Sequence, residues 1–265
     1  MIYKDKKRKP AMKPKIIPAL GLLLLSCNMA SHNVQTPDGA KRTFATSFES
    51  VTEFDGFYMT PQNHLGTTFH ELTDANVHRG KHAHRAWIDG ANPVSAGNNN
   101  HRGYPTVQLQ KTPAGSFQTP CYVSLWVWLD MDLKANPGGE DDWFSFATFT
   151  DDETDNWART VLVNLSADGF VHLQHTTDQG QQARIFQTTN TPFPQREWVE
   201  LKIFLDFGEE GYAKVWQNGK LVSHAKIGNI TNRLSQAHFG LYASPRVAAG
   251  QVFNDDLKII EVESE

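Results

Sequence analysis

The chain has 265 residues, of which 25 are Lys or Arg and 29 are Asp or Glu, for a formal charge of −4. Seven of the basic residues and one acid fall within residues 1–15, so residues 16–265 carry 18 basic against 28 acidic residues, a net of −10. An acidic body argues against a nucleic-acid binder, which gains its affinity by neutralising phosphates. A hydrophobic content of 39% with 11% aromatics suits a globular core and excludes a wholly disordered chain.

In chain order, a basic stretch (Lys4 to Lys15) leads into the apolar run Ile16 to Leu25. That run is too short for a membrane span and has the layout of an export signal. It ends in Leu24, Leu25, Ser26 and Cys27, which resembles the lipobox of bacterial lipoproteins. The resemblance implies cleavage after residue 26 and lipid modification of Cys27. Residues 27–43 then read as a polar linker, and the membrane partner is reached through the N-terminal lipid anchor. The expected location is the bacterial cell envelope, at the outer membrane and facing either the periplasm or the surface. The only other cysteine is Cys121, so acylation of Cys27 leaves it without a disulfide partner. Cys121 lies in an apolar alternating run and reads as a small buried hydrophobe.

Period-two alternation recurs over 82–89, 104–110, 121–130, 143–149, 159–165, 169–175, 183–188, 198–207, 211–217, 220–226, 236–243 and 251–262. Turn pairs separate several of these runs: Asp168-Gly169, Glu210-Gly211 and Asn218-Gly219. No convincing helical period intervenes. The pattern predicts an all-β chain, a two-sheet antiparallel β-sandwich or jelly roll, as one domain over 44–265.

Strand 121–130 carries the clearest face information. Cys121, Val123, Leu125, Val127 and Leu129 point to the core, while Tyr122, Ser124, Trp126, Trp128 and Asp130 point away from it. Exposed indoles beside polar groups suit a saccharide groove. The same inside–outside reading adds Arg85 and Trp87, then Gln108 and Gln110, then His172 and Gln174, then His238 and Tyr242. The expected ligand-binding set is therefore Trp126, Trp128, Tyr122, Gln108, Gln110, Arg85, Trp87, His238 and Tyr242, provided that these outward sets share one face.

Several short motifs, in order, resemble the concanavalin A-like lectin/glucanase superfamily, including laminin-G-like modules and jelly-roll polysaccharide lyases. They are Phe48-Glu49-Ser50, the Gly80–His84 stretch, the Tyr122–Trp128 strand, Asn218-Gly219, Phe239–Tyr242 and the Asn254–Asp256 strand. The resemblance implies a concanavalin A-like jelly roll. Its lyases would place Arg102, His172 and Tyr242 in catalysis, since His238-Phe239-Gly240-Leu241-Tyr242 keeps a Gly-x-Tyr ending. Many such folds also pair an N-terminal Glu with C-terminal Asp residues on a structural calcium, here Glu49 with Asp255 or Asp256, with Asn254 as a further oxygen donor.

Three functional readings follow. The first is non-catalytic binding of a polysaccharide or oligosaccharide, which needs only the groove. The second is β-elimination of a uronic-acid-containing glycan, which needs a cation for the carboxylate and His or Tyr for proton transfer. The third is a non-carbohydrate adhesion or structural module. Glycoside hydrolysis is disfavoured, because the paired carboxylates on one strand that it requires are missing. No phosphate loop or Gly-x-Ser-x-Gly elbow occurs, and no organic cofactor is expected. His82 and His84 would share a strand face near His78, a spacing that zinc uses. The bland reading of these three is hydrogen-bonded or surface histidine.

Overall fold

The computed structural model describes residues 39–54, 57–59, 66–94, 99–154, 156–176, 182–185, 191–227 and 231–263, with 54, 57–59 and 182–185 described by backbone only. The expected signal (1–26), Cys27 and most of the expected linker lie outside these residues. Eighteen strands are present among them: β1 Ala40–Thr46, β2 Phe57–Met59, β3 Thr68–Thr73, β4 Ala83–Asp89, β5 His101–Gly103, β6 Pro105–Gln108, β7 Phe117–Gln118, β8 Cys121–Asp130, β9 Trp143–Thr150, β10 Thr160–Ser166, β11 Val171–Thr176, β12 Gln182–Ile185, β13 Trp198–Leu205, β14 Tyr212–Gln217, β15 Lys220–Lys226, β16 Arg233–Leu234, β17 Gln236–Ala243 and β18 Ala249–Val262. All twelve alternating runs correspond to strands. The short strands β1, β2, β3, β5, β7 and β16 add to them, and β1 begins inside the expected linker.

The strands form two antiparallel sheets and a two-stranded ribbon, β16 with β7. The first sheet runs β15-β14-β13-β8-β18-β4-β3, with β1 also pairing β18. The second runs β12-β11-β10-β9-β17-β6-β2, with β5 also pairing β17. The long β18 works as two strands. Residues 249–254 pair β4 and residues 257–262 pair β1, and the register breaks between Asp255 and Lys258, where Asp256 takes φ 49°.

The core lies between the sheets and is built by the alternation itself. β8 and β13 bury every second residue, Val123, Leu125 and Val127 against Val199, Leu201 and Ile203. From the second sheet, Phe144, Phe149, Val161, Val163, Leu173, Phe239 and Leu241 face them. Each such side chain contributes about 1.5–3 kcal/mol on burial. Asn218 (φ 47°) and Gly219 (φ 77°) supply the left-handed pair that a two-residue hairpin between β14 and β15 requires.

The two sheets differ in their outer faces. On the first sheet, outward residues such as Trp87, Trp126, Trp128 and Trp198 are half-buried. On the second, outward residues are polar and yet buried: Gln236, His238, Thr148, Ser145, Asn164 and His172 are all at most 7% exposed. Buried polar side chains on an outer face are the informative exception to ordinary burial, and they mark the second sheet as the lined one.

Candidate functional site

The strand order divides the expected ligand-binding set between opposite faces of the sandwich. Gln108 (β6), His238 and Tyr242 (β17), with Arg102 (β5), lie on the outer face of the second sheet. Tyr122, Trp126 and Trp128 (β8), with Arg85 and Trp87 (β4), lie on the outer face of the first. The single shared groove expected from alternation is therefore corrected to two separate surfaces. Alternation reports which side of its own sheet a residue takes, but not which sheet holds the strand.

On the second sheet, cross-strand register builds two polar rows. One reads Arg102, Tyr242, Ser145, Asn164, His172 across β5, β17, β9, β10 and β11. Beside it run Thr106, His238 and Thr148. The Arg102 guanidinium lies 5.9 Å from the centre of the Tyr242 ring. The Tyr242 hydroxyl accepts a hydrogen bond from Asn100 Nδ2 at 2.9 Å, and Trp143 meets the same ring edge-on at 5.0 Å. His238 stacks on Tyr104 at 3.9 Å, touches Trp157 at 4.7 Å and sits 5.7 Å from Tyr242, ring to ring.

His172 is a correction of role. It shares a row with Tyr242 but lies three strands away, about 14 Å at ordinary strand spacing. It cannot act on the same bond as Tyr242. The imidazole next to Tyr242 is that of His238, four residues earlier on the same strand face. Burial, with Arg102 nearby, pushes the His238 ring down to about 3, so it is neutral at ordinary pH. Among the described residues, neither of its nitrogens has a hydrogen-bond partner, nor do Thr148 Oγ1, Asn164 Oδ1 or the side-chain amide of Gln110. Unpaired buried polar atoms cost free energy, and several on one face are the mark of a site that takes a polar ligand. Gln108 is partnered by Gln236 at 3.2 Å, and Asn164 Nδ2 donates to Gln174 at 2.7 Å.

Gly240, between His238 and Tyr242, lets this strand approach its neighbours. A Cβ there would sit 3.0 Å from Gly103 O and 3.1 Å from His84 Cε1, at φ 123°. Asn100, Tyr104, Trp143, Thr148, Trp157 and Asn164 were not singled out from sequence. Trp143 and Asn164 sit in alternating runs, so their outward position was legible. Tyr104 opens the alternating run 104–110, whereas Asn100 and Trp157 lie in connections, where alternation carries no signal.

On the first sheet, Trp126 is covered. His78 stacks on it at 3.9 Å and meets Trp198 edge-on at 5.6 Å, while Trp198 Nε1 donates to Asn76. Tyr122 packs against Phe204, with Lys202 Nζ 4.8 Å from its ring. The three clustered histidines also separate. His84 points into the sandwich, 1% exposed and 3.3 Å from His70, whereas His82 precedes β4 and lies near Glu49. Among the described residues, no group of three or more His, Cys, Asp or Glu is placed to hold a metal.

Glu49 and Asp255 instead meet one turn. Glu49 accepts from Lys81 N at 3.0 and 3.1 Å, and Asp255 Oδ2 accepts from His78 N and Arg79 N at 3.0 Å each. Asp256 lies 3.5 Å from His78 Nδ1 and 3.7 Å from Arg79 Nε. Burial, with the neighbouring Asp256, pushes the Asp255 carboxyl up to about 6 despite its backbone hydrogen bonds. Both polar atoms of the Asn254 side chain are buried and, among the described residues, unpaired. Glu49, Asp255 and Asp256 thus bring negative charge to the 78–81 turn, where backbone N–H groups meet the first two. A cavity of about 430 Å³ elsewhere, lined by Lys41, Gln118, Asp206, Glu209, Glu210 and Asn232 among others, contains none of the expected residues.

No family model and no curated protein matches the chain. Solved structures do share its fold. An endo-β-1,4-glucuronan lyase from the fungus Trichoderma reesei superposes with TM-score 0.56 at 12% identity, covering 84% of this chain and 96% of that one. The cellulose-induced protein Cip1 gives 0.54 at 14% identity, covering 83% and 98%. An alginate lyase, vAL-1 from Chlorella virus, gives 0.51 at 12% identity, covering 72% and 89%. At such identities the likeness is one of fold. The chain is an all-β, two-sheet antiparallel jelly roll.

Proposed function

We propose that this protein binds a uronic-acid-containing polysaccharide on the outer face of its second sheet and cleaves it by β-elimination. The observation that carries the reading is the floor of buried, unpaired polar groups (His238, Thr148, Asn164) beside Arg102 and Tyr242. Arg102 opposes the uronate carboxylate and so stabilises the charge that develops when the C5 proton leaves. The neutral His238 imidazole accepts that proton. Tyr242, its hydroxyl held by Asn100, donates a proton to the departing glycosidic oxygen at C4, and a C4–C5 double bond forms. Two solved proteins of the same fold are lyases, one of glucuronan and one of alginate, which supports the chemistry.

A second reading, binding without cleavage, is favoured by one observation. His238 lies against both Tyr104 and Trp157 and is only 7% exposed, so a base there needs the Trp157 contact to open. Ultraviolet absorbance of the unsaturated uronate separates the readings. Purified protein mixed with polyglucuronate and alginate should give a rising signal. Tyr242→Phe should lower turnover roughly a hundredfold or more while leaving polymer retardation in affinity gels intact. A flat trace from folded wild type on every uronate polymer would leave the binding reading in place of the lyase.

Two further parts belong to this proposal. Export and lipid anchoring at Cys27, in the bacterial envelope, rest on the basic and apolar pattern of residues 1–27. A structural calcium at Glu49 and Asp255, with Asn254 as a further oxygen donor and Asp256 alongside, would neutralise the charge buried at the 78–81 turn.

A further inference from the structure

The outer face of the first sheet holds a transverse aromatic row that the elimination chemistry does not use. Register places Glu71, Arg85, Phe253, Trp128 and Trp198 side by side across β3, β4, β18, β8 and β13. The adjoining row is Phe69, Trp87, Gln251 and Asp130. Five strands span about 19 Å, long enough for several sugar rings in line. Trp87, Trp128, Trp198 and Phe69 are partly exposed, with Phe253 buried among them. The rings brace one another: Phe69 stacks on Trp87 at 5.4 Å, and Trp128 meets Phe253 edge-on at 5.4 Å.

The charges of these rows are spent internally. Arg85 pairs with Glu71 at 3.2 Å, bonds Gln251 at 3.1 Å and lies 4.6 Å over the Trp87 ring. Asp130 pairs with Arg196 at 2.9 Å. The rows therefore offer ring faces and interleaved hydrogen-bonding groups with balanced charge. An anionic polymer or an anionic lipid surface would call for cations that are not already paired. The lysines of this face, Lys202, Lys214, Lys226 and Lys258, sit further along it, Lys202 and Lys214 against Tyr122 and Phe204, Lys258 beside Ser124 and Lys226 paired with Glu210.

We propose that this row is a second carbohydrate-binding surface, taking an uncharged polysaccharide chain laid across the strands, independent of the polar groove on the opposite face. Sugar C–H faces stack on the rings while Gln251 and the two ion pairs meet hydroxyls. Trp126 is outside the surface because His78 covers it.

The test uses the full-length protein in affinity gels containing hydroxyethylcellulose, xylan or galactomannan, with alginate alongside. At least one uncharged polymer should retard the wild type. Trp128→Ala and Trp198→Ala should each weaken that retardation roughly tenfold, and Tyr242→Phe should leave it unchanged. Thermal melts show whether the variants fold. Tryptophan fluorescence titrated with cello- and xylo-oligosaccharides provides a readout on the wild type alone. Three results would each overturn the proposal: no response to any uncharged glycan in either assay, retardation by alginate alone, or a concentration-dependent dimer that buries these tryptophans. Because Tyr242 serves only the other face, failure of the elimination reading would leave this outcome readable.

Discussion

His84 and His238 are held neutral inside the sandwich, each pushed down to about 3 from an ordinary 6.5, chiefly by burial. Between those pH values the unfolded chain binds protons that the folded chain refuses. Their contribution is fully present above pH 6.5 and is lost as pH falls toward 3, at about 1.4 kcal/mol per pH unit for each histidine. Asp255 acts in the opposite sense, since burial raises it from 3.8 to about 6, but over a narrower window. The two histidines therefore set the sign. Thermal midpoints measured from pH 7.5 down to 4.5 should fall steadily below 6.5, and His238→Gln should flatten the slope. A midpoint independent of pH over that range would mean that these rings are not buried neutral. The same histidine shows what the sequence made legible. His238 stood out as an outward residue four places from Tyr242, whereas its priority over His172 depends on β9 and β10 lying between β17 and β11, an order no local pattern records.

At the scale of elements, the 78–81 turn ties the start of the sandwich to its longest strand. Glu49 follows Phe48, which takes φ 58°, and Asp255 precedes the register break of β18; both carboxylates close on this turn. Gly80 makes the approach possible. It has φ 79°, and a Cβ there would fall 1.8 Å from Glu49 Oε1. The pairing of Glu49 with Asp255 was readable only through resemblance, because the two are far apart in sequence. Calcium bound at this clip stabilises the folded state by mass action, so adding it should raise the thermal midpoint and a chelator should lower it. Glu49→Gln should abolish that response, and Gly80→Ala should cost about 1–3 kcal/mol with or without the ion. Identical midpoints in calcium and in chelator would show that backbone hydrogen bonds alone close the turn.

Over the whole molecule, period-two alternation revealed the long strands because each has one face in the core and one outside it. Strands of two or three residues, such as β5 and β7, are too short to alternate, and β3 (Thr-Phe-His-Glu-Leu-Thr) buries too little to announce itself. The division into two working faces was invisible for a different reason. Hydrophobic pattern fixes inside against outside, while the assignment of strands to sheets is a long-range outcome of pairing. Among the described residues, the buried side chains of the core begin at Thr46 and end at Val262. Anchoring and folding should therefore separate cleanly. Expressed in a bacterium, the wild type should appear in the membrane fraction with the mass of residues 27–265 plus acyl chains. Cys27→Ser should move it out of the lipid-anchored, processed form while leaving the thermal midpoint of the sandwich within about 1 °C, since the substitution precedes the first buried side chain of the described core by 19 residues and exchanges one small side chain for another. A mature wild-type protein cleaved elsewhere, or lacking any added lipid mass, would replace the anchored reading with plain secretion.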